Sequence, residues 1–512
     1  MKEAALTEKS WKNLRSGSDI RGIGTGDGNN PLFLNDRKVE RITVGFAVWL
    51  SKNINKGIAD LTVSVGHDPR VSSLRIKNAV IAALSGLGAV VIDCGLSSTP
   101  AMFMTTVDLK CDGAVQITAS HHPSDRNGMK FFTRVGGLES VHIDEVLDYA
   151  QTAGVPAAES AGAVEKADYM NTYAAALREM ICRQVNDTDY LRPLRGYKIV
   201  VDAGNGAGGF YAAKVLEPLG ADIGGSCFLN PDGTFPNHIP NPENKQAMES
   251  IRKAVTDNDA DLGIIFDTDV DRAGCVGKGG LVINRNRLIA LAAAIVLEDN
   301  EGATVVTDSI TSDGLTEFIK NNGGVHLRYK RGYKNVIDKQ MELTESGVNC
   351  PLAMETSGHA AFRDNYFLDD GAYLVTRIVI KMAVLGKQGK NLESLVESLR
   401  IPLEEQEVRL AIQTEDFKAF GDLVIGELAS LADQREGWAA VTDNYEGIRV
   451  STDKNSGDGW FLARLSVHDP VLVINAESDS SGGTALMLKN LLDFFHRYSG
   501  LDTRELEQAA AK

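Results

Sequence analysis

The sequence predicts an α/β protein made of three related α/β domains in tandem, with mixed or parallel sheets and helices on both faces, followed by a C-terminal α+β domain. Three observations lead to this fold class. The chain is 512 residues long, which is more than one hydrophobic core organises. One order of strand, polar loop, helix, glycine and second strand occurs in three segments. From residue 401 onwards the pattern changes.

The three repeated segments begin at Leu61, Tyr197 and Ala303. Each opens with an apolar, β-branched run that is typical of a buried strand. The opening runs are LTVSVGHDPR, YKIVVDAGNGAGG and ATVVTDSITS, the helical stretches are IKNAVIAALSG, FYAAKVLEPLG and DGLTEFIKNNGG, and the second strands are AVVIDCG, ADIGGSCF and VHLRY. Short strand-helix-strand connections require parallel pairing and right-handed crossovers. Such sheets place ligands at the carboxyl ends of their strands.

The C-terminal region has a different pattern. It contains the strand candidates GIRVSTD, GWFLARLS and VLVINAE and closes on an amphipathic helix, LMLKNLLDFFHRYSG. This order predicts a smaller α+β domain. The predicted domains are therefore 1–189, 190–300, 301–400 and 401–512.

The bulk composition excludes several classes of protein. With 43% hydrophobic and 24% charged residues, the chain has the composition of a globular protein and not of a disordered or fibrous one. Its formal net charge of -16 argues against a general nucleic-acid or anionic-membrane surface, because phosphate groups would be repelled over most of the molecule. Any basic site must therefore be local.

Cysteine usage and the chain start bear on the compartment. The six cysteines form no CxxC pair and no zinc-binding spacing, so we interpret them as reduced thiols. The first twenty residues mix both charge signs and lack the apolar run of a signal peptide, and no later stretch is long enough to cross a bilayer. We expect a cytoplasmic protein without a membrane partner. A plastid precursor trimmed of its transit peptide would look the same, so the stroma stays open.

The string DTDVDR, from Asp267 to Arg272, directly follows the apolar run LGIIF. If the backbone stays extended, residues i, i+2 and i+4 point to one side, so the three aspartates can converge on a hard cation. A calcium-binding EF-hand loop would need Gly at its sixth position and Glu at its twelfth, where this chain has Arg272 and Lys278. A solvated acidic turn is the other alternative. We favour metal binding by Asp267, Asp269 and Asp271.

A second string, QITASHHPSDRNGMKFF, places Ser120 where an apolar strand breaks into a polar loop. A serine at the end of a strand can act as a nucleophile or carry a phosphate. Taken alone, it could equally be a turn or cap residue. The sequence contains no GxSxG elbow, so a hydrolase-type triad has little support.

Gly204, Gly206 and Gly209 satisfy the GxGxxG spacing of dinucleotide-binding loops, between a strand and a helix. An NAD-dependent oxidoreductase is therefore an alternative function. That fingerprint also needs an acidic residue at the carboxyl end of the next strand. The nearest candidate, Asp222, begins its predicted strand. We therefore interpret the glycines as a tight turn with close helix packing.

Two further loops carry polar groups suited to a sugar phosphate. METSGH, starting at Met354, combines a carboxylate, two hydroxyls and an imidazole. RLSVHDP, starting at Arg464, offers a guanidinium fork, a hydroxyl and an imidazole between two predicted strands. Taken separately, the first could be a loop without function, and Arg464 could form an ordinary surface salt bridge.

Taken in order, these strings resemble the α-D-phosphohexomutase superfamily, which includes phosphoglucomutase, phosphomannomutase and phosphoglucosamine mutase. TASHHPSDRNGMK is similar to the family's phosphoserine loop TASHNPxxxNGxK, and DTDVDR to its metal loop DGDADR. METSGH resembles the sugar-recognition loop GEMSGH, and RLSVHDP the phosphate-binding loop RxSxTxP. GSDIRG, GHDPRVSS, PDGTFPNHIPNP and DDG also fit. The resemblance spans nearly the whole chain and implies four domains around a central cleft.

The resemblance also implies the site residues. The implied catalytic residues are Ser120, Lys130, Arg21, Arg272 and His121, and the implied substrate-binding residues are Glu355, Ser357, His359, Arg464, Ser466, His468 and Lys334. One Mg²⁺ would be held by phosphorylated Ser120, Asp267, Asp269 and Asp271. The implied reaction moves phosphate between C1 and C6 of a glucose or mannose phosphate, with a hexose 1,6-bisphosphate as intermediate and activator. The partners would be small sugar phosphates.

The chain departs from the family pattern at several positions. His122 stands where Asn is usual, and Tyr333 where bacterial phosphomannomutases often have His. In the phosphate loop, Val467, His468 and Asp469 replace the frequent Gly or Asn, Thr, and Glu or Thr. The altered loop motivates an alternative, a glucose 1,6-bisphosphate synthase that takes phosphate from a donor such as fructose 1,6-bisphosphate. A non-catalytic sugar-phosphate sensor is a further alternative.

Overall fold

The computed structural model describes residues 11–26, 32–154, 158–466 and 469–511. The chain forms two compact units. The first unit comprises residues 1–288 and 357–394, and the second comprises residues 289–356 and 395–512.

The elements up to residue 190 are β1 (Arg15–Ser16), β2 (Asp19–Ile23), α1 (Asp36–Asn53), β3 (Thr62–His67), α2 (Ser73–Gly86), β4 (Val90–Leu96), α3 (Thr99–Asp108), β5 (Gly113–Ile117), β6 (Arg126–Thr133), β7 (Gly136–Gly137), α4 (Ser140–Thr152), β8 (Val164–Lys166) and α5 (Tyr169–Val185). Those from residue 190 to 400 are β9 (Ile199–Asp202), α6 (Lys245–Asp257), β10 (Leu262–Phe266), β11 (Ala273–Gly277), β12 (Val282–Ile283), α7 (Asn286–Leu297), β13 (Thr304–Asp308), α8 (Asp313–Asn321), β14 (Val325–Tyr329), α9 (Tyr333–Glu345), β15 (Leu352–Met354), β16 (Ala360–Phe362), β17 (Leu368–Asp369) and α10 (Gly371–Gly386). The C-terminal elements are β18 (Glu404–Ala411), α11 (Phe417–Ala432), β19 (Trp438–Ala440), β20 (Ile448–Thr452), β21 (Gly459–Leu465), β22 (Val471–Ser478), α12 (Gly483–Phe495) and α13 (Arg504–Ala510).

The first sheet has the order β1-β2-β6-β5-β3-β4-β8, with β7 paired to β6. Strands β3, β4, β5 and β8 are parallel, whereas β6 pairs antiparallel with both β5 and β2. Successive side chains of a strand point to opposite faces. In β6, Phe131 meets Phe46 of α1 and the next residue, Phe132, meets Phe103 of α3. The sheet is therefore mixed and covered by helices on both faces, as the sequence predicts.

The second sheet, with the order β12-β11-β10-β9, pairs β9 and β10 in parallel and the remaining strands antiparallel. Here the repeat prediction is partly wrong. The stretch after β9 forms a π-helix over Tyr211–Leu216 and a short 3-10 turn. The predicted second strand is reduced to isolated bridges at Asp222 and Cys227. Gly225 has a φ of +98°, which breaks the extended run.

Within the second unit, β13 pairs in parallel with β14 on one side and β15 on the other. The third repeated segment thus has the predicted strand, helix and strand in β13, α8 and β14. The C-terminal strands form a separate antiparallel sheet with the order β18-β22-β21-β20-β19. Its apolar side packs on α11, α12 and α13, where Val424, Leu488 and Leu506 are fully buried. This is the predicted α+β domain.

Among the helices of the described residues, none combines sufficient length with sufficient apolar content to span a bilayer.

Residues 228–242 form a long loop before α6 in the first unit. Its anchor is His238, whose Nε2 lies 3.0 Å from both carboxylate oxygens of Asp202 and whose Nδ1 lies 3.0 Å from the Ile239 carbonyl. Burial lowers the pKa of His238, but the hydrogen bond and charge of Asp202 outweigh it and raise the pKa above its ordinary 6.5. Both ring nitrogens therefore donate, as in an imidazolium.

This pair predicts a pH-dependent contribution to stability. Because the folded-state pKa of His238 is raised, the contribution is complete below the unfolded value of 6.5 and is lost as pH rises through the folded pKa. His238→Gln should therefore lower Tm more at about pH 6 than at about pH 9. Calorimetry of both proteins across that range measures the difference. A Tm difference that stays constant with pH would contradict the assignment.

Candidate active site

Ser120 lies three residues beyond the end of β5, at the carboxyl edge of the first sheet. Its side chain is buried, and its backbone has a φ of +50°, a left-handed conformation that is strained for a non-glycine residue. The hydroxyl donates to Asp267 Oδ2 at 3.1 Å. His121 Nδ1 and Arg272 Nη2 each lie 3.4 Å from Ser120 Oγ. The loop therefore holds one hydroxyl against a carboxylate and a guanidinium.

The three aspartates of DTDVDR lie on the turn between β10 and β11, and not on an extended strand as the sequence argument assumed. Val270 has a φ of +69° within this turn, and the turn brings the side chains together. Asp267, Asp269 and Asp271 each offer a carboxylate oxygen, and the three oxygens lie within 4.8 Å of one another. All three residues are buried, which contradicts the alternative of a solvated acidic turn.

The trio is electrostatically asymmetric. Burial and the charges of Asp271 and Asp269 raise the pKa of Asp267 well above its usual range. Burial also opposes ionisation of Asp271, but Lys130, His359 and Arg272 together hold its pKa below its usual range. Lys130 Nζ donates to Asp271 Oδ2 at 2.5 Å and lies 3.2 Å from Asp269 Oδ2. Lys130 and the more distant Arg272, whose Nε lies 3.8 Å from Asp267 Oδ2, are thus two cations that face three buried aspartates.

The donor set of the trio fits a hard divalent cation. Asp269 Oδ1 and Asp271 Oδ1 are buried, and neither accepts a hydrogen bond from any group in the described part of the chain. A buried acceptor without a partner is costly unless something else satisfies it. Carboxylate oxygens are the ligands that Mg²⁺ prefers. The trio and the nearby Ser120 hydroxyl could therefore hold such an ion.

His121 is a neutral imidazole in this environment. Arg272 Nη2 lies 2.5 Å from His121 Nδ1, so this nitrogen accepts and the proton is on Nε2. Burial and the Arg272 charge lower the pKa of His121 to about 2. Burial, Arg21 and Arg126 likewise lower the pKa of the neighbouring His122 to about 3. The ring of His121 is therefore uncharged, and its Nε2 carries the one proton that it can donate.

Arg21 and the last three residues of METSGH, from Ser357 to His359, also belong to the first unit. Arg21, in β2, pairs with Gly128 of β6 and forms an ion pair with Asp19 at 2.9 Å. His359 forms a backbone bridge with Arg272, and its Nε2 lies 3.8 Å from Asp271 Oδ1. Ser357 Oγ lies 2.9 Å from His359 Nδ1. The structure therefore places Ser357 and His359 beside the aspartate trio.

The remaining substrate-binding candidates lie in the second unit. Arg464 is 4% exposed, so it is not a surface salt bridge. Its Nε has no hydrogen-bond partner among the described residues, and burial together with the charge of Arg331 lowers its pKa. Ser466 follows β21 directly. His468 and Val467 lie outside the described residues.

Glu355 and Lys334 occupy different surroundings within this unit. Glu355 Oε1 accepts from Gly332 N at 2.6 Å, and burial together with Glu355 raises the pKa of the neighbouring Asp308 to about 6. Lys334, at the start of α9, pairs with Asp338 on its own helix at 2.7 Å. Glu355 is thus fixed to the loop before α9, whereas Lys334 is held along the helix.

The chain is similar to known proteins over most of its length. Residues 12–153, 171–280 and 284–401 match the three α/β/α domains, I to III, of phosphoglucomutase/phosphomannomutase. The chain belongs to the phosphoglucomutase/phosphomannomutase family. It is accordingly a phosphohexomutase, an enzyme that transfers a phosphoryl group within a hexose phosphate.

Individual members of the family agree with this assignment. A phosphomannomutase/phosphoglucomutase of Pseudomonas putida is 33% identical over 438 residues, which are 85% of this chain and 88% of that protein. A phosphoglucomutase of Neisseria gonorrhoeae is 32% identical over 84% of this chain and 87% of its own length. The crystal structure of a family protein from Burkholderia thailandensis has a TM-score of 0.77 at 27% identity and covers 96% of this chain and 98% of that one.

Family membership does not favour the alternative functions. For the glycine-rich loop, the structure gives a packing reason. A Cβ on Gly209 would lie 2.1 Å from the Leu229 carbonyl oxygen, and one on Gly206 would lie 2.7 Å from that of Thr268. Gly204 has a φ of +52°. The GxGxxG spacing therefore reflects a tight turn and close packing, not a dinucleotide fingerprint.

Sequence reasoning assigned no role to Asp68 and Arg70, although the string that contains them fits the family pattern. Both are buried in the loop after β3, next to β5 in the sheet. Arg70 donates to the backbone of the loop that carries Ser120. The order of the strands could have linked Asp68 and Arg70 to Ser120, because the parallel neighbours β3 and β5 end at the same edge of the sheet.

Proposed function

We propose that this phosphohexomutase moves phosphate between C1 and C6 of glucose or mannose phosphates by way of a phosphorylated Ser120. The observation that carries the proposal is the hydroxyl of Ser120, 3.1 Å from Asp267 Oδ2, beside three aspartates that can hold one Mg²⁺. The names of the Pseudomonas and Neisseria relatives support glucose and mannose as the hexoses.

Asp267, Asp269 and Asp271, with an oxygen of the phosphorylated serine, are the proposed ligands of the ion. A bound Mg²⁺ would offset the charge of the phosphoserine and polarise its phosphoryl group. Lys130 already lies against two of the aspartates, so its charge also stabilises this concentration of anions.

The chain's own groups account for the transfer. As the bond from Ser120 Oγ to phosphorus breaks, a sugar hydroxyl forms the new bond to phosphorus, and the proton it releases balances the one that Ser120 Oγ regains. Arg272, Lys130 and Arg21 would stabilise charge on the transferring oxygens, and neutral His121 would donate from Nε2. The hexose 1,6-bisphosphate then returns its other phosphoryl group to Ser120.

The proposed substrate-binding residues are those of the METSGH loop, the start of α9 and the loop after β21. Arg464 is buried with an Nε that lacks a described partner, which suits a guanidinium kept for a phosphate. Ser466 and His468 would bind the same phosphate. Glu355, Ser357, His359 and Lys334 would contact sugar hydroxyls and the phosphate.

All six cysteines are free, which supports a reducing, cytosol-like compartment.

Intact-mass spectrometry of the purified protein tests the proposal. We expect a single added phosphate that peptide mapping places on Ser120, and its loss during incubation with glucose 6-phosphate as bisphosphate forms. The same incubation should yield glucose 1-phosphate. A modification at another residue would contradict the role of Ser120. Stoichiometric bisphosphate without isomerisation would instead support the synthase alternative, which the relatives do not favour.

A further inference from the structure

Arg70 is a buried arginine whose contacts converge on one loop. Its side chain has 0% exposure, as does that of its ion-pair partner Asp68. Its Nε donates to Asp68 Oδ2 at 3.1 Å, and its two terminal nitrogens donate to four backbone carbonyls. Those carbonyls belong to Ser120, His122, Pro123 at 2.6 Å and Arg126 at 3.0 Å. One rigid guanidinium therefore organises the whole turn around Ser120.

Asp68 connects the same network to the other backbone group of Ser120. Thr118 Oγ1 donates to Asp68 Oδ2 at 2.7 Å and accepts from Ser120 N at 2.9 Å. Ser73 Oγ also donates to Asp68 at 2.8 Å. The amide of Ser120 is thus held through Thr118, and its carbonyl through Arg70. These two contacts hold the Ser120 backbone at its strained φ of +50°, a conformation that the surrounding structure must stabilise.

A segment from the second sheet's domain covers the network. Gly233 forms a parallel backbone bridge with Arg70, and the Phe235 ring lies 5.2 Å from the Arg70 guanidinium. A Cβ on Gly233 would lie 2.3 Å from the Pro69 carbonyl oxygen and 2.6 Å from Arg70 Cα. Only glycine allows this approach. The aromatic ring then shields the guanidinium from water.

We propose that Arg70 is a positioning residue, which fixes the Ser120 hydroxyl in its reactive place by clamping four carbonyls of the loop, and that Gly233 and Phe235 close this clamp. The inference rests on the proposed function, because it assigns Arg70 a role in phosphoryl transfer through Ser120. Arg70 does not touch the reacting atoms. Its effect is therefore expected in kcat and not in sugar-phosphate binding.

Arg70→Lys tests the clamp, because lysine keeps the charge but cannot donate to four carbonyls in a fixed plane. We expect kcat to fall roughly 10²-fold, which is the scale of a 1 Å misplacement of a reacting group, while KM changes less than about threefold. Arg41→Lys is the matched control. Arg41 donates to two carbonyls, of Ala150 and Ala153, and we expect kcat within about twofold of wild type.

Two further measurements separate positioning from a merely structural role. In Arg70→Gly, added guanidinium should restore part of kcat, and it should not do so in Arg41→Gly. Gly233→Ala keeps Arg70 and should lower kcat about tenfold without a matching change in KM. A kcat near wild type for Arg70→Lys, or a loss that follows Tm alone without rescue by guanidinium, would overturn the proposal.

Different experimental results would show that the clamp is wrong and that the proposed function is wrong. If Ser120 is phosphorylated in the wild type and Arg70→Lys turns over normally, only the clamp is wrong. If the wild type carries no phosphate on Ser120, the proposed function itself is wrong.

Discussion

Ser120→Ala is expected to lower kcat for the interconversion of glucose 1-phosphate and glucose 6-phosphate by roughly 10⁴-fold or more, the scale seen when a covalent nucleophile is removed. The substitution deletes one hydroxyl that donates to Asp267. Because alanine fits the same space, we expect the fold to persist. Alanine also cannot carry the phosphate, so intact-mass spectrometry should show an unmodified protein.

A coupled assay for glucose 6-phosphate measures the effect, and Ser85→Ala is the matched control. Ser85 lies in the same domain and its hydroxyl donates to the Gly162 carbonyl at 2.7 Å, so kcat should change less than about threefold. Residual turnover within about tenfold of wild type would show that another group carries the phosphate.

Asp269→Asn is expected to have the second largest effect, a fall in kcat of roughly 10²- to 10³-fold. Lewis-acid stabilisation of a phosphoryl group is worth several kcal/mol, and each 1.36 kcal/mol is tenfold in rate. Asp269 Oδ1 has no described hydrogen-bond partner, and Asn keeps an oxygen that can accept from Thr99 as Asp269 Oδ2 does. The substitution therefore removes a ligand charge for the cation and the ion pair with Lys130. Titration with Mg²⁺ should show a higher half-saturating concentration than in the wild type.

The effect of Asp269→Asn on Tm should have opposite signs with and without the metal. Without a cation, three buried carboxylates repel one another, so removal of one charge should raise Tm in EDTA. In saturating Mg²⁺ the wild type should instead be the more stable protein. Asp257→Asn on the surface of α6, where Asp257 pairs with Lys253, serves as control. Equal Tm changes with and without Mg²⁺ would exclude a metal role for Asp269.

The repeated segments show where sequence reasoning about the fold succeeds. The first and third repeats have uninterrupted β-branched runs and amphipathic helices, and they form β3, α2, β4 and β13, α8, β14 close to the predicted places. In the second repeat, the strand prediction fails at Gly224 and Gly225. Local pattern determines an element only while backbone conformation agrees with it, and Gly225 has a left-handed φ.

The site shows a similar division. Ser120 and the aspartates could be found because each follows an apolar strand that ends at the ligand-binding edge. How the aspartates converge could not be found, because the turn with Val270 at φ +69° replaces the extended backbone that the spacing suggested. The neutral state of His121 also depends on burial and on Arg272, neither of which a sequence displays.

The sequence by itself determined the three tandem α/β domains, the distinct C-terminal domain, and the chemical groups at the strand ends, because hydrophobic periodicity and loop composition are local properties. Only the tertiary structure decided that Ser120 faces Asp267, and that Arg70 donates to the carbonyls of the loop that carries Ser120. Those contacts join residues 147 and 50 positions apart in the chain. The packing of two sheets and their loops, not local sequence, brings them within hydrogen-bond distance.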